Sequence, residues 1–289
     1  MKGEDCLRKA VELQGESLQM RLVSGAVLLQ RGHFKAAMGQ FNLVLDEDWK
    51  DLQANLLMGV LFDRIGRKGL SKKHFAISKV KKLRELNKLP PKSSLPKNFR
   101  TQPLDFKVEI IDYNNVNTKD KALDLDSIDL LYLDLADFLL EFNIYGVADL
   151  ALEYVNDKQT ERYLVSLSKI RVLQKRFTEA VEALDILLAK EPKNQKAWIL
   201  RGHTYYKANN LFDSEESYIK ALRIKPFPKD NVLQERLGIV YAKRKAWKDA
   251  RVVFFKCCKE FTSTTSWLYL GLSLLRLGEL QAAEDAFTQ

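Results

Sequence analysis

The stretch Asn194–Phe227, NQKAWILRGHTYYKANNLFDSEESYIKALRIKPF, decides the fold. Trp198, Gly202 and Tyr205 stand at i, i+4 and i+7, so they share one face of a helix. Asn209-Asn210 is a turn signal. A second amphipathic helix follows, with Ser214, Tyr218 and Ala221 on one face. Pro226 ends it, because proline lacks an N–H and its ring clashes with the preceding turn. Gly202 and the small Ser214 let two antiparallel helices approach closely, while the aromatics fill the space around them. One such pair cannot bury its own apolar face, so neighbours of the same pattern are required.

They are present. Gly25, Leu28, Ala37, Phe41 and Val44 occupy the places of Gly202, Tyr205, Ser214, Tyr218 and Ala221. Gly59 follows with Phe62, Ser71, Phe75 and Ser78, and a stripe of Ala76, Val80 and Leu83 prolongs its second helix toward Pro90-Pro91. A degenerate unit has Leu135, Ala136 and Leu139, then Ala148, Leu152 and Val155, with Asn143 and Gly146 in its turn. The next has Leu164, Leu167 and Ser168, then Ala180, Leu184, Leu187 and Pro192. After the opening unit and two inserted residues near Pro228 come Leu237-Gly238, Tyr241, Ala250, Phe254 and Cys257. The last starts at Trp267, with Leu270-Gly271, Leu274, Ala283 and Phe287. That makes seven units, four of them contiguous from residue 161. A spacing that recurs over about 34 residues resembles the tetratricopeptide repeat family. Arg201, where a Leu is usual, and Ser214, where an Ala is usual, depart from its pattern. The resemblance implies an all-α fold: an α-solenoid of antiparallel helix pairs in a right-handed superhelix, here interrupted by a proline-rich, charged linker.

Three regions follow. Residues 1–88 hold two repeats behind a helix at 4–14, and 89–125 form a linker that is partly disordered. Residues 126–289 form the C-terminal array. Within the linker, LPPKSSLPKNFRTQP is poor in apolar residues, so an extended or mobile chain is expected. FKVEIIDYNNVN alternates enough to dock as a strand. Nine acids against three lysines at 105–137 invite the insert to fold back on its basic neighbour, although charge runs usually face solvent. The stop at Gln289 inside a second helix, with no polar capping helix, suggests a fragment.

The net charge of +9 is local. Between residues 67 and 100, Arg67, Lys68, Lys72, Lys73, Lys79, Lys81, Lys82, Arg84, Lys88, Lys92, Lys97 and Arg100 face the single acid Glu85, giving +11; the remainder is −2. This patch could adhere to microtubule tails, RNA or anionic lipid in a salt-sensitive way. With no interleaved aromatics beyond Phe75, sequence-specific nucleic-acid reading is not expected.

Catalytic chemistry finds no foothold. His33, His74 and His203 are scattered without metal-ligand spacing, and His33 and His74 are expected to be solvated. There is no phosphate-cradling glycine loop or nucleophile elbow. No cofactor and no small-molecule substrate are implied, and an enzyme has no residue to nominate. No apolar run approaches the roughly 18 residues of a membrane span. Cys6, Cys257 and Cys258 make no disulfide framework, so a reducing compartment is expected. Cys257-Cys258 reads as core.

What remains is surface. In the family that the repeats resemble, first helices line a groove that takes extended partner segments. The non-core first-helix positions here are Arg162, Lys169, Lys196, His203, Tyr206, Lys207, Arg236, Lys243 and Arg276, interrupted by Glu235. A cationic groove suits an acidic peptide; the same residues also suit ordinary solvated helix faces. The family's chaperone-binding clamp is not matched, since Val165 with Lys169, Leu200, and Val232 stand at its places and only Arg236 agrees. Finally, Cys257-Cys258, Trp267, Leu270-Gly271 and GELQAAEDAF (Gly278–Phe287) resemble the repeat regions of cilia- and flagella-associated proteins. That resemblance implies a non-catalytic scaffold in the cytoplasm and cytoskeleton, at the axoneme, supporting ciliary or flagellar assembly and motility. Its partners would be dynein- or microtubule-associated proteins.

Overall fold

The computed structural model describes residues 17–85, 125–224, 232–260 and 263–289. The expected helix at 4–14, nearly all of the linker, Pro226, and Lys88, Lys92, Lys97 and Arg100 lie outside the described residues.

Among the described residues there are fourteen helices and no strand. They form seven consecutive pairs. The first two are α1 (Leu18–Gln30) with α2 (Phe34–Glu47), and α3 (Leu52–Arg64) with α4 (Lys68–Glu85). The third is α5 (Leu125–Glu141) with α6 (Tyr145–Glu153), and the fourth α7 (Glu161–Leu173) with α8 (Phe177–Lys190). Then come α9 (Gln195–Lys207) with α10 (Leu211–Ile224) and α11 (Val232–Lys243) with α12 (Trp247–Glu260). The last is α13 (Thr264–Leu277) with α14 (Leu280–Phe287).

One register runs through all seven. Each first helix has a small buried residue where its partner helix crosses: Gly25, Gly59, Ala136, Ser168, Gly202, Gly238 and Gly271. Sixteen positions later the second helix supplies its counterpart. Where the small residue is glycine, that counterpart is a ring: Phe41, Phe75, Tyr218, Phe254 or Phe287. Where Ala136 or Ser168 already carries a Cβ, it is Leu152 or Leu184. The summed volume is conserved by trading a Cβ against ring size, as close packing demands.

Seven positions after each small residue the chain turns through the left-handed region, at Gly32, Gly66, Asn143, Lys175, Asn209, Lys245 and Gly278. The reversal is therefore a backbone rule of the pair, and the two lysines meet it at a steric cost. In four of the pairs a polar side chain eight positions before caps the first helix: Asp51 accepts from the Ala54 N–H at 2.7 Å, Thr160 from Tyr163, Asn194 from Ala197, and Ser263 from Ser266. The two departures from the usual pattern also have partners. Ser214 donates its hydroxyl to the Gly202 carbonyl at 2.8 Å across the pair. Arg201 reaches Asp185 Oδ1 with Nε at 2.7 Å and Ser217 Oγ with Nη1 at 2.9 Å, tying α9 to both neighbouring second helices.

The core positions follow the same register. Ala37, Ala148, Ala180, Ala221, Ala250 and Ala283 are buried, as are Phe41, Phe75, Tyr218 and Phe254. Trp198, Tyr205, Tyr241 and Trp267 are half-buried, with Trp198 donating its indole N–H to the Pro192 carbonyl at 2.9 Å. Cys257 and Cys258 are both buried and free, and burial pushes each thiol up to about 11.

The chain divides into two compact units, Met1–Lys158 and Gln159–Gln289. The third pair falls within the first of these units. In the first unit, α5 packs on α3 and α4, and α6 touches α1. The anchor is Asp129, 3% exposed, whose carboxylate accepts from the Asn156 N–H at 2.9 Å, the Asn156 amide at 2.8 Å and the Asp157 N–H at 2.7 Å. Nearby, Tyr132 stacks on Tyr154 while Phe75 meets Tyr132 edge-on and Tyr154 at a tilt, and burial pushes the Tyr132 phenol up to about 12.

Candidate partner-binding groove

In the second unit, first helices of successive pairs lie against one another, α7 with α9 and α11 with α13. The positions expected to line a groove lie on these first helices. Lys169, Lys196, Lys207, Arg236 and Lys243 are exposed, while Arg162, His203 and Tyr206 are half-buried. Lys243 of α11 sets its ammonium 4.1 Å from the ring centre of Tyr206 on α9, so the two helices meet across this face. Burial, then Arg236, then Lys207 hold the His203 imidazole below its usual range. Arg276 lies over the Trp247 ring at 5.9 Å. Glu235, which interrupted the cationic series in the sequence, is engaged by the Ser263 hydroxyl at 2.7 Å and the Ser266 hydroxyl at 2.9 Å. These hydrogen bonds join α11 to α13, and the carboxylate keeps its charge.

Sequence reasoning missed the apolar members of this face. Leu268 is 56% exposed and Leu275 46%, on α13. Val232 at the start of α11 is also exposed. The available signal was register: Leu268 and Leu275 stand three before and four after Gly271, as Ile199 and Tyr206 stand to Gly202.

The equivalent face of the first unit is filled by its own chain. Gln30 stands five after Gly25, matching Lys207 after Gly202, and its Oε1 accepts from the Gly146 N–H of α6 at 3.0 Å. Asp63 stands four after Gly59, matching Tyr206, and accepts from the Tyr154 hydroxyl at 2.6 Å. Consistent with that cover, Ala54–Phe62 of α3 are all buried. A cleft of about 250 Å³ remains where Leu29, Phe34, Arg64 and Leu150 meet.

The basic patch is not one solvated face. Arg67, Lys68 and Lys72 are exposed, and Lys73 is half-buried. Lys81 pairs with Asp48 at 3.2 Å, and Lys79 is half-buried, with burial holding its ammonium below the usual range while Asp129 opposes that shift. Lys82 and Arg84 lie on α4. His74, expected to be solvated, is half-buried instead. Its Nδ1 lies 2.9 Å from Asn55 Oδ1 and its ring stacks on Phe62 at 5.4 Å. Asn55 in turn donates its amide to the Trp49 and Asp51 carbonyls, which leaves its oxygen as the acceptor for an Nδ1–H. Burial holds the imidazole down to about 4.

A sequence model described as tetratricopeptide repeat matches residues 171–231. That stretch matches the tetratricopeptide repeat family, and the other helix pairs repeat its register. The repeats resemble those of MamA, whose crystal structure aligns with a TM-score of 0.50 and 16% identity over 55% of this chain and 88% of that one; this likeness concerns the fold. By sequence, the repeat chain is similar to cilia- and flagella-associated protein 70 of Homo sapiens, 31% identical over 130 residues. It is also similar to the protein of that name from Macaca fascicularis, 39% identical over 54 residues. The first match covers 45% of this chain and 12% of the human protein, the second 19% and 5%, so the repeats correspond to a small part of these relatives' length. No helix among the described residues is long and apolar enough to cross a membrane.

Proposed function

We propose that this chain is a non-catalytic protein-interaction scaffold of the ciliary or flagellar axoneme. It holds an extended, acidic partner segment along the first-helix groove of its second unit. The observation that carries the reading is the group of exposed cations on that groove. Lys169, Lys196, Lys207 and Arg236 form no ion pair among the described residues, while Lys243 is drawn over Tyr206. Cations held on a partly apolar surface are poised to meet carboxylates, and their field would speed capture and select against basic segments. The printed name of the sequence relatives supports the axonemal setting.

The test is capture from axonemal extract by the wild-type chain and by a triple variant, Lys196→Glu, Lys207→Glu and Arg236→Glu. These side chains are outside the core, so circular dichroism should be unchanged while capture is lost. Retained capture would refute the groove. Lysine cross-linking adds location: links from Lys169, Lys196, Lys207 and Lys243 to one defined protein support the reading. Links chiefly from Lys68, Lys72 and Lys73 to many polyanions would transfer the function to the basic patch.

A further inference from the structure

The cations and the exposed leucines of the groove are not mixed at random. On α7 and α9 the exposed groove residues include Lys169, Lys196 and Lys207. On α13 they are Leu268 and Leu275, with half-buried Leu272 between them, and Arg276 is drawn aside over Trp247. Glu235 at the boundary is held by two serine hydroxyls but keeps its negative charge, so it disfavours a carboxylate there and favours an acidic run that ends on α9. Exposed lysines therefore predominate on α7 and α9, where Leu173 is an apolar neighbour, and exposed leucines stand on α13 beside Arg276.

We infer that the occupant is an extended peptide of two-part chemistry, an acidic run that lies along α7 and α9 continued by large apolar side chains that bury Leu268 and Leu275. This rests on the groove reading above and deepens it. A uniformly acidic segment would leave both leucines in water, and a uniformly apolar one would strand the lysines. Only a segment with both parts satisfies each half: carboxylates meet cations at the surface, and apolar side chains remove leucine area from water. The two halves must also respond differently to salt, because screening acts on exposed charge and leaves apolar burial intact.

The experiment uses the full chain and four synthetic peptides of equal length, followed by fluorescence anisotropy. One joins a Glu/Asp block to a Leu/Phe block, one is acidic throughout, one carries the Leu/Phe block with neutral polar residues, and one scrambles the first. The block peptide should bind roughly tenfold tighter than the acidic and scrambled peptides, a difference worth about 1.4 kcal/mol. A Leu268→Asp/Leu275→Asp variant should lose that advantage while still binding the acidic peptide no more than a few-fold more weakly. Lys169→Glu/Lys196→Glu should lose the salt-dependent part alone. If the acidic peptide binds and the apolar block adds nothing, two-part recognition fails while the cationic groove stands. If none of the three acid-bearing peptides binds, both fail. Sedimentation covers the remaining occupant: a dimer split by Leu268→Asp/Leu275→Asp and unaffected by the block peptide would assign the leucines to a second copy and overturn the inference.

Discussion

A Cβ built on Gly202 would lie 2.5 Å from both Cδ1 and Cε1 of Tyr218, so the ring lies against the backbone of the opposite helix. The same relationship joins Gly25 to Phe41, Gly59 to Phe75, Gly238 to Phe254 and Gly271 to Phe287. It sets the spacing within these pairs, and with it the angle at which each first helix presents its groove residues.

Gly202→Ala should therefore destabilise the second unit by about 1–3 kcal/mol, the usual range for overpacking a tight site. Shrinking the ring should relieve it: in Gly202→Ala/Tyr218→Leu the pair takes the combination that Ala136 and Leu152 already use. Urea midpoints of the two single variants and the double variant test this. A double variant less stable than the sum of the singles would contradict the volume exchange.

Lys245 turns the sixth pair with φ 62°, a conformation that costs an L-residue of this kind roughly 1 kcal/mol. Lys245→Gly should raise the thermal midpoint, and Gly278→Ala, at φ 85° with no side-chain clash nearby, should lower it by a similar free energy. Calorimetry on the two variants checks both signs.

His74 makes stability depend on pH. Its folded pKa, about 4, lies below the ordinary 6.5 because burial disfavours the charged ring and Lys73 adds repulsion. Above pH 6.5 both states are neutral and the contribution is complete. As pH falls from 6.5 toward 4, the unfolded chain takes up a proton that the folded one refuses, so stability drops by at most about 1.4 kcal/mol per pH unit. His74→Gln should flatten that part of the pH dependence measured by urea unfolding at pH 7, 6, 5 and 4.5. An unchanged slope would show that the ring titrates freely.

Asp129→Asn replaces a carboxylate that accepts three hydrogen bonds with an amide that must point a donor at one of them. A loss of about 1–3 kcal/mol is expected, the range for leaving a buried donor without its partner. Amide hydrogen exchange should speed up at Asn156 and Asp157 and across α6. Exchange confined to its wild-type rate there would mean that aromatic stacking alone seats the third pair.

The repeat was legible before any coordinates because its rules are local. Glycine to ring at sixteen, turn at seven and cap at minus eight all join residues on one helix or one hairpin, where periodicity in the sequence is periodicity in space. The cations of the groove were legible for the same reason. Their neighbours were not. That Glu235 is held by Ser263 and Ser266 follows from packing, and whether His74 meets water depended on Asn55 and Phe62. Tertiary structure alone decided that Gly146 and Tyr154 would occupy Gln30 and Asp63, 116 and 91 residues away, and so fill one groove while the other keeps its lysines and leucines exposed. No helical period spans such distances. Equal registers give every first helix the same face, and only packing determines which of those faces is already taken.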